Sequence, residues 1–372
     1  YRSHSIIQTI EFQKAQSMSR RIFLLICCVL GQLASLGVAA DLVSPAPADS
    51  FTIAVIPDTQ MYVDPEGKRK ASGDDLSNPI FSAIVQWIVN HKDEQNIVFV
   101  SHVGDIVDKN NHDQWKIARE LMNVIHGKIP YGISVGNHDM TSAGDSSLFQ
   151  QYFPRSSFEE FSWYGGSYEN SSRGPRFSGN NANSYQLFSA GGLDFVFLHL
   201  ECNAPDDVVE WANSVLQKHS DRKALITTHM GWGPLEKPKE NKEYQTAQKG
   251  RMKWSKIHGE HGNSPQQLWE KCYSRHPNLV AVFSGDQSRS QAIHAATPGE
   301  HGNIIHEFLS DYMQATADGG WLRLYRFFPE ENRVQAITVH PVKGTLCEGT
   351  KLLPDPKHHQ FEASVQLTPE KN

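Results

Sequence analysis

The stretch Tyr131-Gly132-Ile133-Ser134-Val135-Gly136-Asn137-His138-Asp139 decides how the chain is read. Its first five residues form a short apolar run with strand character, and Gly136 frees the turn that follows. An amide, an imidazole and a carboxylate then stand in succession at what would be a strand's carboxyl end, where open α/β sheets carry their chemistry. Together they offer a neutral oxygen ligand for a metal, a proton donor, and a group that fixes the donor's tautomer. Taken alone, the four residues are equally compatible with a plain polar turn.

The surrounding chain repeats the pattern. Asp58 closes the run Phe51 to Pro57, Asp105 and Asp108 follow Ile97 to Val103, and His229 follows Ala224 to Thr228. Four strand-like runs, each ending in Asp, Asn or His, are what a site built on strand ends requires. Helical stripes alternate with them. Asn78-Pro79 offers a cap and a first-turn proline ahead of Ile80, Ile84 and Ile88, and a second helix from about Asp113 carries Trp115, Ala118, Leu121, Met122 and Ile125 on one face. Tyr185 to Phe188 and Leu193 to Leu200 read as a strand pair, Pro205 to about His219 as a helix, and Ser264-Pro265 as another helix start. Leu279 to Phe283 is a strand before Ser284-Gly285-Asp286, and Trp321 to Phe328 with Val334 to Val339 form a hairpin. This alternation predicts an α/β fold.

Of the 372 residues, 39% are hydrophobic and 20% charged, a globular composition. The sequence begins at Tyr1. Met18-Ser19-Arg20-Arg21, the apolar stretch Ile22 to Leu30, and Val38-Ala39-Ala40 have the layout of a signal peptide cleaved after Ala40, so residues 1–17 are expected to lie upstream of the native start. The stretch is short for a membrane-spanning helix, and the product is expected to be exported, periplasmic or extracellular, and free of the membrane. Beyond it remain Cys202, Cys272 and Cys347, an odd number that excludes a disulfide framework. Residues 1–40 contain four basic and one acidic side chain; without them 31 basic and 40 acidic remain. An acidic chain of this kind lacks the basic face of a nucleic-acid binder.

Residues 41–50 read as a linker and 51–345 as one domain. It carries an ordered, aromatic-rich insertion at 141–183 and a lysine-rich loop at 236–262, which is either solvated or attractive to an anionic substrate. Residues 346–372 read as a C-terminal extension. His258, His261, His294, His301 and His306 are expected to be ordinary histidines outside the site.

The ordered blocks Asp58-Thr59-Gln60, Gly104-Asp105 to Asp108, Gly136-Asn137-His138-Asp139, Thr228-His229 and Gly285-Asp286-Gln287-Ser288 resemble those of the calcineurin-like metallophosphoesterases, over roughly residues 51–340. With Pro57-Asp58-Thr59-Gln60, Gln114-Trp115 and Trp163-Tyr164-Gly165-Gly166, the chain looks like an exported bacterial branch of that family. The resemblance implies a four-layer α/β/β/α sandwich of two mixed sheets, with the site on loops at strand ends. It implies two divalent ions (Mn, Fe or Zn) bridged by Asp105, with Asp58 on the first and Asn137 and His229 on the second. A water made acidic by the metals attacks phosphorus. His138 protonates the leaving oxygen, Asp139 orients His138, and Asp108 is an acceptor holding its loop.

The chain departs from the pattern where the family carries histidines. Gln60 stands two residues after the first aspartate, and Asp286 and Ser288 replace the last histidine pair. Gln60 can coordinate the first ion through its amide oxygen and Asp286 the second through its carboxylate, whereas Ser288 is a poor ligand. The expected centre is oxygen-rich, its second ion firmly held and its first weak or absent. The functional expectation is an exported metal-dependent hydrolase of phosphomonoesters or phosphodiesters, acting on a small phosphate ester or a phosphorylated macromolecule. The alternative is a catalytically impaired homologue that binds a ligand or partner.

Overall fold

The computed structural model describes residues 43–60, 78–141, 143–232, 257–313 and 319–368. The expected signal segment and residues 236–256 of the lysine-rich loop lie outside these.

Strand β1 (Phe51–Ile56) is buried along its whole length, as expected of a strand covered on both faces. Phe51, Ile53 and Val55 point into one apolar cluster, Ala54 and Ile56 into another. Side-chain alternation along one strand therefore separates two core layers. On one side of β1 runs β2 (Ile97–His102), then β3 (Tyr131–Ile133), all parallel. On the other side β11 (Leu322–Phe328) pairs antiparallel and leads to β12 (Arg333–His340), which takes β13 (Thr345–Leu346) and β14 (Phe361–Ser364).

The second sheet has the order β4-β5-β6-β7-β8-β10-β9. Its members are β4 (Tyr164–Ser167), β5 (Ser184–Ala190), β6 (Leu193–Leu200), β7 (Lys223–Thr228), β8 (Leu279–Ser284), β9 (Ala292–Pro298) and β10 (Ile304–Ser310). The central strands β6, β7, β8 and β10 are parallel.

Helices α1 (Pro79–Asn90) and α2 (His112–Met122) cover the first sheet; α4 (Asp206–Lys218) and α5 (Pro265–Lys271) cover the second. Between the sheets Phe51, Phe99 and Tyr325 meet Phe195, Phe197, Phe283 and Phe308. The architecture is a four-layer α/β/β/α sandwich. Helix starts follow local chemistry: Asn78 and Asn111 each accept a backbone N–H three residues on, and Ser264 with Gln267 closes a reciprocal box at α5. Among the described residues no helix is long and apolar enough to cross a membrane.

A buried polar seam also joins the sheets. His199 on β6 takes Gln186 Oε1 at 2.7 Å on Nδ1 and Ser101 Oγ at 3.0 Å on Nε2, and Ser101 meets Thr227 at 2.7 Å. Burial drops the His199 pKa to about 3, so the ring is a neutral spacer. Only glycine fits opposite it, since a Cβ on Gly132 would lie 2.2 Å from the ring.

The structure adds detail to several of these segments. Residues 43–50, read as a linker, are tied to the domain: Val43 and Ser50 are buried, and Ala46 N–H donates to Glu94 O. The chain after Leu346, read as an extension, packs on the first sheet, where β14 pairs with β12 while Cys347, Leu353, Val365 and Leu367 are buried. The β9–β10 hairpin was not anticipated, and His294 and His306 lie on it with ring nitrogens 3.1 Å apart. The 141–183 insertion, expected to be ordered, contributes α3 (Ser147–Tyr152) and β4, and packs Phe149 and Phe153 edge-on against Trp115 and Phe158 edge-on against Tyr131. Cys202, Cys272 and Cys347 are buried and unbridged.

Candidate metal centre

Hydrogen bonds join the carboxyl ends of β2, β3, β6, β7 and β8. Ser134 N–H donates to His102 O and its hydroxyl to Leu200 O, Cys202 N–H donates to Val135 O, and Gly285 N–H donates to His229 O. Residues far apart in sequence are thereby held at one point. Asp58, Asp105 and His229 are buried there, each offering a ligand atom within 4.8 Å of the others.

His229 has a defined tautomer. Its Nδ1 is 3.0 Å from Val103 O, and a carbonyl only accepts, so Nδ1 carries the proton. Nε2 then faces oxygen on every side: Asn137 Oδ1 at 3.1 Å, Asp105 Oδ2 at 3.3 Å and Asp286 Oδ1 at 3.6 Å. Such a ring of acceptors calls for positive charge at its centre, supplied either by a proton on Nε2 or by a metal ion that displaces that proton. Burial works against charging this ring, but Asp105 and Asp58 overcome it and push the His229 pKa well above its usual value.

The backbone is shaped to bring these groups together. Asp105 and Asp286 have φ of +49° and +62°, the left-handed region that side-chain-bearing residues avoid. Glycines supply the remaining clearance. A Cβ on Gly136 would fall 2.2 Å from Asp105 Oδ1, and one on Gly285 would fall 2.1 Å from Asp58 Oδ1.

The residues fit divalent cations. Asp58 Oδ1 is buried without a hydrogen-bond partner, which is costly for a carboxylate oxygen unless something charged sits on it. Burial first, then Asp311, holds the Asp58 pKa well above the carboxylate range. Asp139 and Asp311 are raised to about 7, again chiefly by burial. So many shielded carboxylates call for positive charge, and an oxygen-rich set with one imidazole suits a hard or borderline ion.

The second-ion set of Asp105, Asn137, His229 and Asp286 converges as the sequence suggested. Gln60 lies beside it, but its amide nitrogen donates to Asp105 Oδ2 at 2.7 Å. In this arrangement the Gln60 amide nitrogen, and not the oxygen expected to act as a ligand, faces the Asp105 carboxylate. His102, which the sequence did not single out, holds the Asp105 loop. Its Nδ1 accepts Gly104 N–H at 3.1 Å, Nε2 meets Thr59 Oγ1 at 3.2 Å, and Thr59 donates to Ile106 O. Burial lowers the His102 pKa to about 3, keeping the ring neutral next to the cation site.

His138 and its neighbours require an exchange of roles. Asp139 does not bond His138; its carboxylate accepts the backbone N–H groups of Gly136, Ile106 and Val107, clamping the two site loops together. Asp108 supplies the partner instead: His138 Nδ1 is 2.9 Å from Asp108 O and 3.7 Å from its carboxylate. Burial would lower the His138 pKa, but Asp105, the Asp108 carbonyl, Asp139 and the Asp108 carboxylate together raise it. Nδ1 is thus tethered while the half-exposed ring leaves Nε2 as a proton donor.

None of the five histidines set aside above belongs to the ligand cluster. His258, for example, accepts from Arg173 on Nδ1 at 2.9 Å and bonds Cys202 O through Nε2 at 3.1 Å. One acidic residue was missed: Asp311, buried just past β10. Its signal was the rule that had picked out Asp58, a carboxylate ending an apolar run.

A model of the calcineurin-like phosphoesterase family matches residues 51–331. The chain belongs to the calcineurin-like phosphoesterases. The uncharacterised protein YvnB of Bacillus subtilis (strain 168) is 29% identical over 306 residues, covering 80% of this chain and 20% of that protein. The chain therefore spans about a fifth of the length of this family relative. Among solved structures, it is similar to GAP50, the anchor in the inner membrane complex of Plasmodium (TM-score 0.44, 10% identity, 87% of this chain and 90% of that one). It is also similar to a 5'-nucleotidase precursor from Thermus thermophilus (TM-score 0.43, 13% identity, 85% and 54% covered).

Proposed function

We propose that this calcineurin-like phosphoesterase is an active, metal-dependent hydrolase of a phosphomonoester or phosphodiester, borne by a small molecule or a phosphorylated macromolecule. The observation that carries this reading is His229, whose Nδ1 is held by the Val103 carbonyl and whose Nε2 is ringed by Asn137, Asp105 and Asp286 oxygens. Divalent ions there would supply charge to the phosphoryl oxygens and acidify water for attack on phosphorus.

The chain's own groups supply the rest. Water adds to phosphorus as the ester P–O bond breaks, and His138, whose pKa the carboxylates around it raise against the effect of burial, delivers its Nε2 proton to the leaving oxygen. Asp108 aims the ring through Nδ1, and Asp139 holds the loop from which it projects. Asp105 and Asp58 would hold a divalent ion together with His229, and their negative charge would offset the repulsion of a second ion nearby. The layout of Met18 to Ala40 supports an exported enzyme. An intact mass for the secreted chain that starts at Asp41 is the check on that part.

The function is tested by bound metal and by hydrolysis of bis(p-nitrophenyl) phosphate and p-nitrophenyl phosphate with Mn2+. His229→Ala should lose metal and activity together, whereas His138→Ala should keep metal and lose about 10²–10⁴ in turnover. Wild type that binds metal yet hydrolyses neither ester would favour the impaired homologue. Equal metal loss in both variants would overturn the role given to His138.

A further inference from the structure

We propose that Gln114 is the positioning residue for the acid His138, acting through the peptide that joins Asp108 to Lys109. This deepens the phosphoesterase reading and rests on it, and it gives a role to the Gln114-Trp115 pair in the sequence.

The contacts run without a gap from helix to acid. Gln114 stands in the first turn of α2 and is wholly buried, and its Oε1 accepts the backbone N–H groups of Asp108 and Lys109, each at 2.8 Å. Two donors meeting at one atom fix which end of the amide is the oxygen. The Lys109 N–H belongs to the same planar peptide as the Asp108 carbonyl, and in a trans peptide the two point in opposite directions. Holding that N–H on Gln114 therefore aims the carbonyl away from α2, where His138 Nδ1 lies 2.9 Å from it. A carbonyl only accepts, so Nδ1 donates and Nε2 is left for the leaving oxygen.

The loop between helix and acid has no slack. Asp139 Oδ1 takes the N–H groups of Ile106 and Val107 and Gln114 takes the next two, so consecutive amides are divided between two side-chain oxygens. His138 N–H donates to Asp105 Oδ1 at 2.8 Å, which ties the acid's own backbone to the start of the same loop. At the far end Trp115 Nε1 donates to Asn110 Oδ1 at 2.7 Å, and Asn111 Oδ1 accepts Gln114 N–H at 3.0 Å. Trp115 is itself buried, edge-on to Phe149 and Phe153. The core thus immobilises the helix turn that sets the direction of the Asp108 carbonyl.

The consequence falls on proton delivery. Without the Gln114 oxygen the Asp108 carbonyl is free to turn and His138 loses its aim, whereas His229 keeps its bond to Val103 O. A donor misplaced by about 1 Å costs about 100-fold, and the cost is greatest where the leaving oxygen is most basic.

The test compares kcat on phenyl phosphate and p-nitrophenyl phosphate, or on the corresponding diesters, using the full chain with Mn2+, alongside metal content and thermal melts. Phenolate is the poorer leaving group and needs the proton more. Gln114→Met, similar in shape but without the acceptor, should keep wild-type metal content and lose about 100-fold on the phenyl ester but no more than about tenfold on the p-nitrophenyl ester. Gln114→Glu returns an acceptor oxygen to a helix N-terminus, where negative charge is favourable, and should recover most of that loss. Equal losses on the two esters, lost metal, or wild-type kcat on both in Gln114→Met would overturn this inference and leave the phosphoesterase reading standing. His138→Ala must show the same bias toward the phenyl ester; equal losses there would overturn both the acid role of His138 and this inference. Wild type that binds metal yet hydrolyses no ester would overturn the phosphoesterase reading with it. If Gln114→Met does not fold, Asn110→Ala at a half-buried loop position removes the Trp115 bond and should lose about threefold more on the phenyl ester than on the p-nitrophenyl ester. No bias in that variant would overturn the proposal.

Discussion

Replacing Gly285 by alanine asks whether Asp58 is a metal ligand. Gly285 does not occupy the left-handed region, so the backbone accepts alanine and space alone decides the outcome. The new Cβ would lie 2.1 Å from Asp58 Oδ1 and 2.7 Å from Val103 Cγ2, where ordinary contact begins at 3.4 Å. Asp58 must therefore retreat by the difference, about 1.3 Å, whereas metal–ligand distances tolerate only about 0.2 Å. Overpacking of this kind costs roughly 1–3 kcal/mol of stability in EDTA. The larger effect is on linkage. At metal about 1,000 times the wild-type Kd, binding one ion stabilises by about 4.1 kcal/mol, and a 100-fold weaker site leaves about 1.4 kcal/mol. Paired thermal melts in EDTA and Mn2+ measure both quantities. A Gly285→Ala protein that melts lower in EDTA yet gains as much from Mn2+ as wild type would show that Asp58 can move without consequence, refuting its place at the ion.

Two further expectations rest on other groups. Asp108→Asn removes one of the carboxylates that raise the His138 pKa, so the high-pH limb of kcat should move to lower pH and kcat fall roughly 10–100-fold. Metal content should stay at the wild-type value; lost metal would mean Asp108 acts on the ions and not on His138. Glu201 is fully buried, its Oε1 accepts from Asn183 Nδ2 while Oε2 lacks a hydrogen-bond partner, and burial raises its pKa to about 7. Between the unfolded carboxylate pKa and 7, the folded state holds a proton that the unfolded state has lost, so stability falls as pH rises through this window and levels off above it. The full loss is about 3 kcal/mol. Glu201→Gln should flatten that fall in melts from pH 5 to 8, and an unchanged slope would locate the titration elsewhere.

The sequence by itself carried the α/β alternation, most element boundaries and the residues converging on His229, because each rests on local signals. Periodicity fixes a strand or helix from within one segment, and a metal-type side chain just past an apolar run marks a strand end. Pro79 with the Asn78 cap, and Ser264 with Gln267, wrote their helix starts into a few neighbouring residues. The β9–β10 hairpin escaped because Ala292–Pro298 is a half-buried strand with a histidine in it, whose character comes from pairing with β10.

The site's finer assignments were decided only by tertiary structure. Asp139 follows His138 in sequence, yet in the tight turn its carboxylate points back to the N–H groups of Gly136, Ile106 and Val107. Asp108, thirty residues earlier, reaches His138 because β2 and β3 are parallel neighbours that deliver their following loops to the same end. Asp311 is brought level with Asp286 by the pairing of two strands whose order in the sheet no local pattern encodes. Spacing along the chain sets which side chains are available, but register between strands sets which of them share a charge, and only the folded sheets fix that register.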